Sequence, residues 1–200
     1  SSSSKDVWRL YQMHAREYDV ARSRHLMERT YLEEISSRVG PGASVLDLGC
    51  AVGEPIARFF MNAGLAVTGV DAASAMIDIC KGRYPDAEWI NADMRGLDLG
   101  RKFDAIVTWD SFFHLERDEQ RAMFPVFARH AGKGCLLLFT SGPANGEAIG
   151  SFHGHELYHS SLDAAEYERL LDDEGFEVIV HKVEDPDCGG HTVWLARRRY

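Results

Sequence analysis

Cysteine, positive charge and long apolar runs are all scarce in this 200-residue chain, and each scarcity excludes something. The cysteines, Cys50, Cys80, Cys135 and Cys188, form no C-x-x-C and no tight cluster. That excludes a disulfide scaffold or a cysteine zinc module and predicts reduced thiols in a cytoplasmic protein. No apolar run approaches the roughly 18 residues of a membrane span, so no membrane partner is expected. No signal peptide is expected either. Only 22 Lys and Arg stand against 31 Asp and Glu, a net charge of −9. A protein that holds nucleic acid in bulk needs the opposite balance, because phosphate neutralisation supplies most of its affinity. A small-molecule partner is therefore expected, and nucleic acid is not. The only low-complexity stretch is the leading run Ser1–Ser4, which reads as a disordered or non-native end and is kept out of the fold argument. Nothing in the sequence speaks to oligomeric state.

Apolar residues make up 45 % of the chain, enough to build the core of one domain of this length. Near the N-terminus, Val7, Leu10, Tyr11, His14 and Tyr18 recur at helical spacing, as do Met27, Tyr31 and Ile35. They predict amphipathic helices over about 5–18 and 22–38, stopped by Gly40-Pro41-Gly42. From there strands and helices alternate. Strands are predicted at 44–49, 66–71, 87–91, 103–110 and 134–140. Helices are predicted at 54–64, 74–82, 117–131 and 161–175. Pro55 falls near the first helical position, Ser74 near an N-cap, and Pro125 inside the third of these helices. Two last strands, 176–184 and 191–198, are joined by Asp185-Pro186-Asp187-Cys188-Gly189-Gly190, too short for a parallel crossover, and so should be antiparallel. The fold class is α/β: a Rossmann-like, doubly wound, mainly parallel sheet with an antiparallel last strand and an N-terminal helical cap.

In such a sheet ligands bind beyond the carboxyl ends of the strands. The first end carries Asp47-Leu48-Gly49-Cys50-Ala51-Val52-Gly53, where Gly49 and Gly53 let the backbone turn tightly and approach a ligand. The second ends in Asp71, a carboxylate suited to a pair of ribose hydroxyls. Asp93 follows the third and can accept from an exocyclic amine. Asp110 closes the fourth. Any one of these has a plainer explanation as a turn or helix cap. In order, each at a strand end, they predict a nucleoside-cofactor site.

The stretches "VLDLGCAVGEPIARFF", "VTGVDAASAMI", "NADM" and "FDAIVTWDSFFHL" resemble the successive motifs of class I S-adenosylmethionine-dependent methyltransferases, and "YQMHAREYDVAR" resembles the helical cap of their small-molecule members. The resemblance implies one methyltransferase domain over 5–200: a cap at 5–40, a cofactor-binding half at 44–140, and a substrate loop with the last strands at 141–200. It implies S-adenosyl-L-methionine as cofactor. Asp47 would sit near the methionine ammonium, and Gly49 and Gly53, with Cys50 and Ala51 in the same loop, would line the methionyl and ribose part. Asp71, beside Ala72, would take the ribose hydroxyls. Met76 would pack near the adenine, Asp93 would bind its amine, and the Met94 backbone N–H would reach the ring. Trp109 and Asp110 would face the methionyl end and the acceptor, with Tyr11 and Tyr18 closing over the cofactor. The family usually has glycine where this chain has Ala51, a residue that tolerates a left-handed backbone at a cost of about 1 kcal/mol.

"HELYH", His155 to His159, matches the H-E-x-x-H of zinc peptidases, which needs a helix to bring both His to one face. Glycines precede it and Ser160 or Ser161 reads as the next N-cap. The motif is therefore expected in a loop, with no metal bound. The long segment 140–162 follows a strand's carboxyl end, where loops commonly wall the substrate. His114, His159 and Tyr158 are accordingly the candidate catalytic or acceptor-contacting residues. A dinucleotide dehydrogenase is excluded because G-x-G-x-x-G would place its later glycines on Ala51 and Glu54. The reaction expected is methyl transfer to O, N or S of a small molecule. The alternative is a protein that binds the cofactor without transferring the methyl.

Overall fold

The computed structural model describes residues 4–200, apart from the side chain of Lys5. The first three serines of the leading run lie outside the described residues, while Ser4 begins the first helix. The chain runs α1 (Ser4–Met13), α2 (Ala15–Ala21), α3 (Arg29–Val39), β1 (Ser44–Leu48), α4 (Ile56–Asn62), β2 (Ala66–Asp71), α5 (Ser74–Arg83), β3 (Glu88–Asn91) and β4 (Phe103–Thr108). Then follow α6 (Arg117–His130), β5 (Ala131–Ser141), β6 (Gly146–Phe152), β7 (His155–Ser161), α7 (Ala164–Asp173), β8 (Phe176–Asp185) and β9 (His191–Arg198).

Seven strands form one sheet in the order β3-β2-β1-β4-β5-β9-β8. The first five are parallel, and β9 runs antiparallel to both β5 and β8. This is the Rossmann-like arrangement expected from the alternation of elements and from the short last connection. The central strands are buried on both faces, which is why they read as near-continuous apolar runs. One core layer packs Phe112, Phe124, Phe127, Tyr167 and Trp194 under α6 and α7. The other packs Leu32, Ile35, Phe60, Ile77 and Trp89 under α3, α4 and α5.

Several local expectations change. The predicted 5–18 helix is interrupted at His14 (φ −116°), giving α1 and α2. The second helix begins only at Arg29, because Arg24 is drawn into ion pairs with Asp19 (2.6 Å) and Glu54 (2.8 Å). Pro55 is the N-cap of α4 and not its first helical residue. Ala73, not Ser74, is the N-cap of α5, and its N–H is taken by the Asp71 carboxylate at 2.9 Å. Asp163, not Ser160 or Ser161, is the N-cap of α7. The segment expected as an open loop is instead the two-stranded hairpin β6–β7, paired from Gly146↔Ser161 to Phe152↔His155. HELYH therefore lies in a strand. A strand advances about 3.3 Å per residue, which sets His155 and His159 roughly 13 Å apart, too far to share an ion. No group of three metal-ligating side chains is found among the described residues.

Candidate active site

The strand order reverses between β1 and β4, and the crevice beyond their carboxyl ends is where a doubly wound sheet binds ligands. A cavity lies there, roofed by α1 and α2. It is lined by Gly49 and Ala51 after β1, Asp71 and Ala72 after β2, and Met76 on α5. Asp93 and Met94 come from the turn after β3, Trp109, Asp110 and His114 from the turn after β4, and Tyr11 and Tyr18 from the cap. Asp47, Cys50 and Gly53 stand behind this lining. Tyr158 and His159 do not reach it.

The loop after β1 is built for close approach. Gly49 has φ +74°, and a Cβ there would meet the Ser111 Cβ at 2.4 Å. Ser111 is itself held by donating to the Leu48 carbonyl at 3.0 Å. Ala51 does take the left-handed conformation, φ +48°, and its N–H donates to the Asp71 carboxylate at 3.0 Å. A charge-assisted bond of this kind offsets a backbone strain of about 1 kcal/mol. Cys50 is buried behind the loop, and the Cys80 thiol donates to the Ala51 carbonyl.

The carboxylates differ in state. Asp47 is 3 % exposed, and its pKa is pushed up to about 7 by burial and by the nearby Asp71. Burial also raises Asp71, against the pull of the Ala73 and Ala51 N–H groups. At Asp93, burial is outweighed by Arg95, whose side chain contacts both carboxylate oxygens, and the pKa falls below the usual range. Arg95 also pairs with Glu119 at the start of α6. Asp110 has φ +53°, its N–H donates to the Thr140 hydroxyl at 3.0 Å, and its carboxylate meets His191 Nε2 at 2.7 Å.

His114 Nδ1 donates to the Tyr158 carbonyl at 2.9 Å, so its Nε2 carries the lone pair and accepts from the Tyr11 hydroxyl at 3.2 Å. Burial brings its pKa down to about 4. Burial also raises the Tyr11 phenol well above its ordinary value. The two cap tyrosines meet edge to face at 5.5 Å, and Phe152 of the hairpin packs on Tyr11 at 5.0 Å. His159 lines a second cavity, with Phe113, Ser141, Gly142, His191 and Thr192. Tyr158 points the other way, as alternation along β7 requires, and donates to Glu147 at 3.0 Å.

Residues 45–134 match the family model of the methyltransferase domain. The similarity runs from β1 to the start of β5. Among curated relatives, this chain is 32 % identical over 106 residues to dTDP-3-amino-3,4,6-trideoxy-alpha-D-glucopyranose N,N-dimethyltransferase of Streptomyces venezuelae, covering 52 % of this chain and 44 % of that protein. It is 26 % identical over 179 residues to an O-methyltransferase of Pyrenophora dematioidea, covering 81 % of this chain and 66 % of that one. The chain spans 35 % to 66 % of the length of the curated relatives it matches. The sugar N-methyltransferase KedS8 from Streptoalloteichus shares the fold, with a TM-score of 0.71 at 19 % identity over 92 % of this chain and 93 % of that one.

Sequence reasoning missed His191 and Arg95. Arg95 was readable, standing two residues after Asp93. His191 had a quieter signal. An antiparallel β9 must start at the carboxyl end of β5, so its first residue falls beside the site.

Proposed function

We propose that this chain is an S-adenosylmethionine-dependent enzyme that moves a methyl group to O, N or S of a small molecule by in-line displacement, as one domain over 5–200. The observation that carries this reading is the row of strand-end carboxylates, Asp71, Asp93 and Asp110, around one cavity with the glycine-containing loop after β1. The buried Asp47 carboxyl behind it has no ion pair among the described residues, and a methionine ammonium would supply one. The relatives' activities, N,N-dimethylation of a dTDP-amino sugar and O-methylation, agree with it. Four buried free thiols agree with a reducing, cytoplasmic setting.

When bound, S-adenosylmethionine supplies an electrophilic methyl on a sulfonium. The protein's part is position and enclosure. Asp71 accepts from the ribose hydroxyls with lone pairs that its two backbone donors leave free. Asp93 takes the adenine amine beside Arg95, Met76 and Met94 flank the ring, and Trp109 and Asp110 face the methyl. Tyr11 and Tyr18 exclude water. Alignment of the acceptor then provides most of the acceleration. The non-catalytic reading drew on Ala51, whose left-handed φ and bond to Asp71 keep the loop on a glycine-like course.

Calorimetric titration with S-adenosylhomocysteine, with NAD and Zn²⁺ in parallel, tests the proposal. Saturable binding of S-adenosylhomocysteine alone is expected, weakened roughly tenfold to a hundredfold by Asp71→Ala, the loss of a charged acceptor. Absence of S-adenosylhomocysteine binding, or equal binding of NAD, would overturn it.

A further inference from the structure

The second cavity adjoins the first. Asp110 lines one and His191 the other, 2.7 Å apart. His114 lines one and His159 the other, with ring centroids at 4.8 Å. Glu147 and Glu184 also line the second cavity.

His191 is held in an unusual way. Its Nδ1 is 2.7 Å from the Cys188 carbonyl and its Nε2 is 2.7 Å from the Asp110 carboxylate. Both partners can only accept, so both ring nitrogens must carry protons. The ring lies against Trp109 at 5.2 Å. The result is an imidazolium–carboxylate pair that fixes Asp110, in its left-handed backbone, between the cavities. The other charged groups around it are Glu28 and Arg22. Glu28 is fully buried, has no hydrogen-bond partner for either oxygen among the described residues, and lies 3.9 Å from Arg22.

Resting on the methyl-transfer reading above, we infer that the second cavity seats the body of the acceptor, that its reacting atom, an amine nitrogen, reaches the first cavity between the His191–Asp110 and His114–His159 pairs, and that His191 is the positioning residue that holds Asp110 beside that atom. The chemistry follows from what these residues offer. The lone pair of His114 Nε2 is already taken by Tyr11, and burial holds both His114 and His159 below the usual imidazole range. Neither suits the early deprotonation that a hydroxyl acceptor needs. An uncharged amine needs none. The N–C bond forms as the C–S bond breaks, the C–S electron pair goes to sulfur, and the positive charge passes from sulfur to nitrogen. A carboxylate fixed beside that nitrogen stabilises the charge where it develops. The ammonium proton leaves afterwards to water. Glu184, in the lining of the second cavity, suits the cation so formed.

The test has three arms. Calorimetry with S-adenosylhomocysteine is run on the wild type, His191→Gln and His191→Asn. Unchanged affinity in the variants shows intact folding and an intact cofactor site, whereas no binding even in the wild type defeats the methyl-transfer reading itself. Transfer of labelled methyl is then followed on matched amines, alcohols and thiols, such as glucosamine against glucose and benzylamine against benzyl alcohol and benzyl mercaptan. Transfer to amines alone is expected. Transfer to an alcohol or thiol, or to no amine of the panel, overturns the inference. His191→Asn should lower kcat roughly tenfold to a hundredfold with KM for the cofactor unchanged, and His191→Gln, which keeps a donor for Asp110 without the charge, should recover part of it. Nitrogen-15 NMR of the wild type should show a doubly protonated His191 ring at pH 7, and a neutral ring would overturn its role.

Discussion

At the scale of single residues, the site is a set of compromises around a few backbone positions. Ala51 stands where a left-handed backbone is required, and the chain holds it there through the Asp71 carboxylate and the Cys80 thiol. Ala51→Gly should therefore stabilise the protein by about 1 kcal/mol, a rise of roughly 2–4 °C in Tm for a chain of this size, read by thermal unfolding. Methyl transfer should survive, since the loop already follows the glycine-like course. A fall in Tm would mean that the Cβ is packed usefully and that the strain is elsewhere. Asp47, Gly49, Asp71, Asp93 and Asp110 were visible in the sequence because each sits at or beside a strand end, where topology gathers residues to one side of the sheet. His191 was not, because its partner Asp110 is 81 residues away and no local pattern joins them.

At the scale of elements, the hairpin changes the meaning of the most conspicuous motif. In a helix, His155 and His159 would share a metal. In β7 they cannot, and neighbouring residues face opposite ways. His159 looks into the second cavity, while Tyr158 bonds to Glu147, which also pairs with Arg117 at 3.3 Å. Tyr158→Phe should cost about 1 kcal/mol of stability, the worth of one hydrogen bond, and leave kcat within about twofold. A large loss of kcat with unchanged stability would return Tyr158 to the acceptor site. Periodicity could not reveal the hairpin. Residues 146–161 mix Gly, Ser and His on a face exposed to solvent, with Ile149 alone as a large exposed apolar side chain on β6. The split of the cap at His14 was also invisible, because α1 and α2 keep the same apolar spacing on either side of the break.

At the scale of the whole molecule, the pH dependence of stability couples to the ligand. An acid whose folded pKa is raised binds more protons folded than unfolded. Its favourable contribution is complete below the unfolded value and is lost as pH rises through the folded value. For Asp47 that window runs from the ordinary value of 3.8 to about 7. On the proposed reading, a methionine ammonium beside Asp47 would stabilise the ionised form, and binding would release a proton within this window. The rise in Tm on adding saturating S-adenosylhomocysteine should grow from pH 5 to pH 7, and Asp47→Asn should flatten that trend. A pH-independent shift in the wild type would place the ammonium elsewhere.

The sequence by itself determined the order of strands and helices, the antiparallel last pair and the row of strand-end carboxylates. These depend on short-range rules: apolar periodicity, turn residues and connection length. Only the tertiary structure decided which way side chains face and which distant residues meet. The turn of Tyr158 away from the cavities, the contact of His191 with Asp110 and the adjacency of the two cavities arise from contacts between elements far apart in the chain. Local propensity carries no information about such contacts, because packing sets their distances.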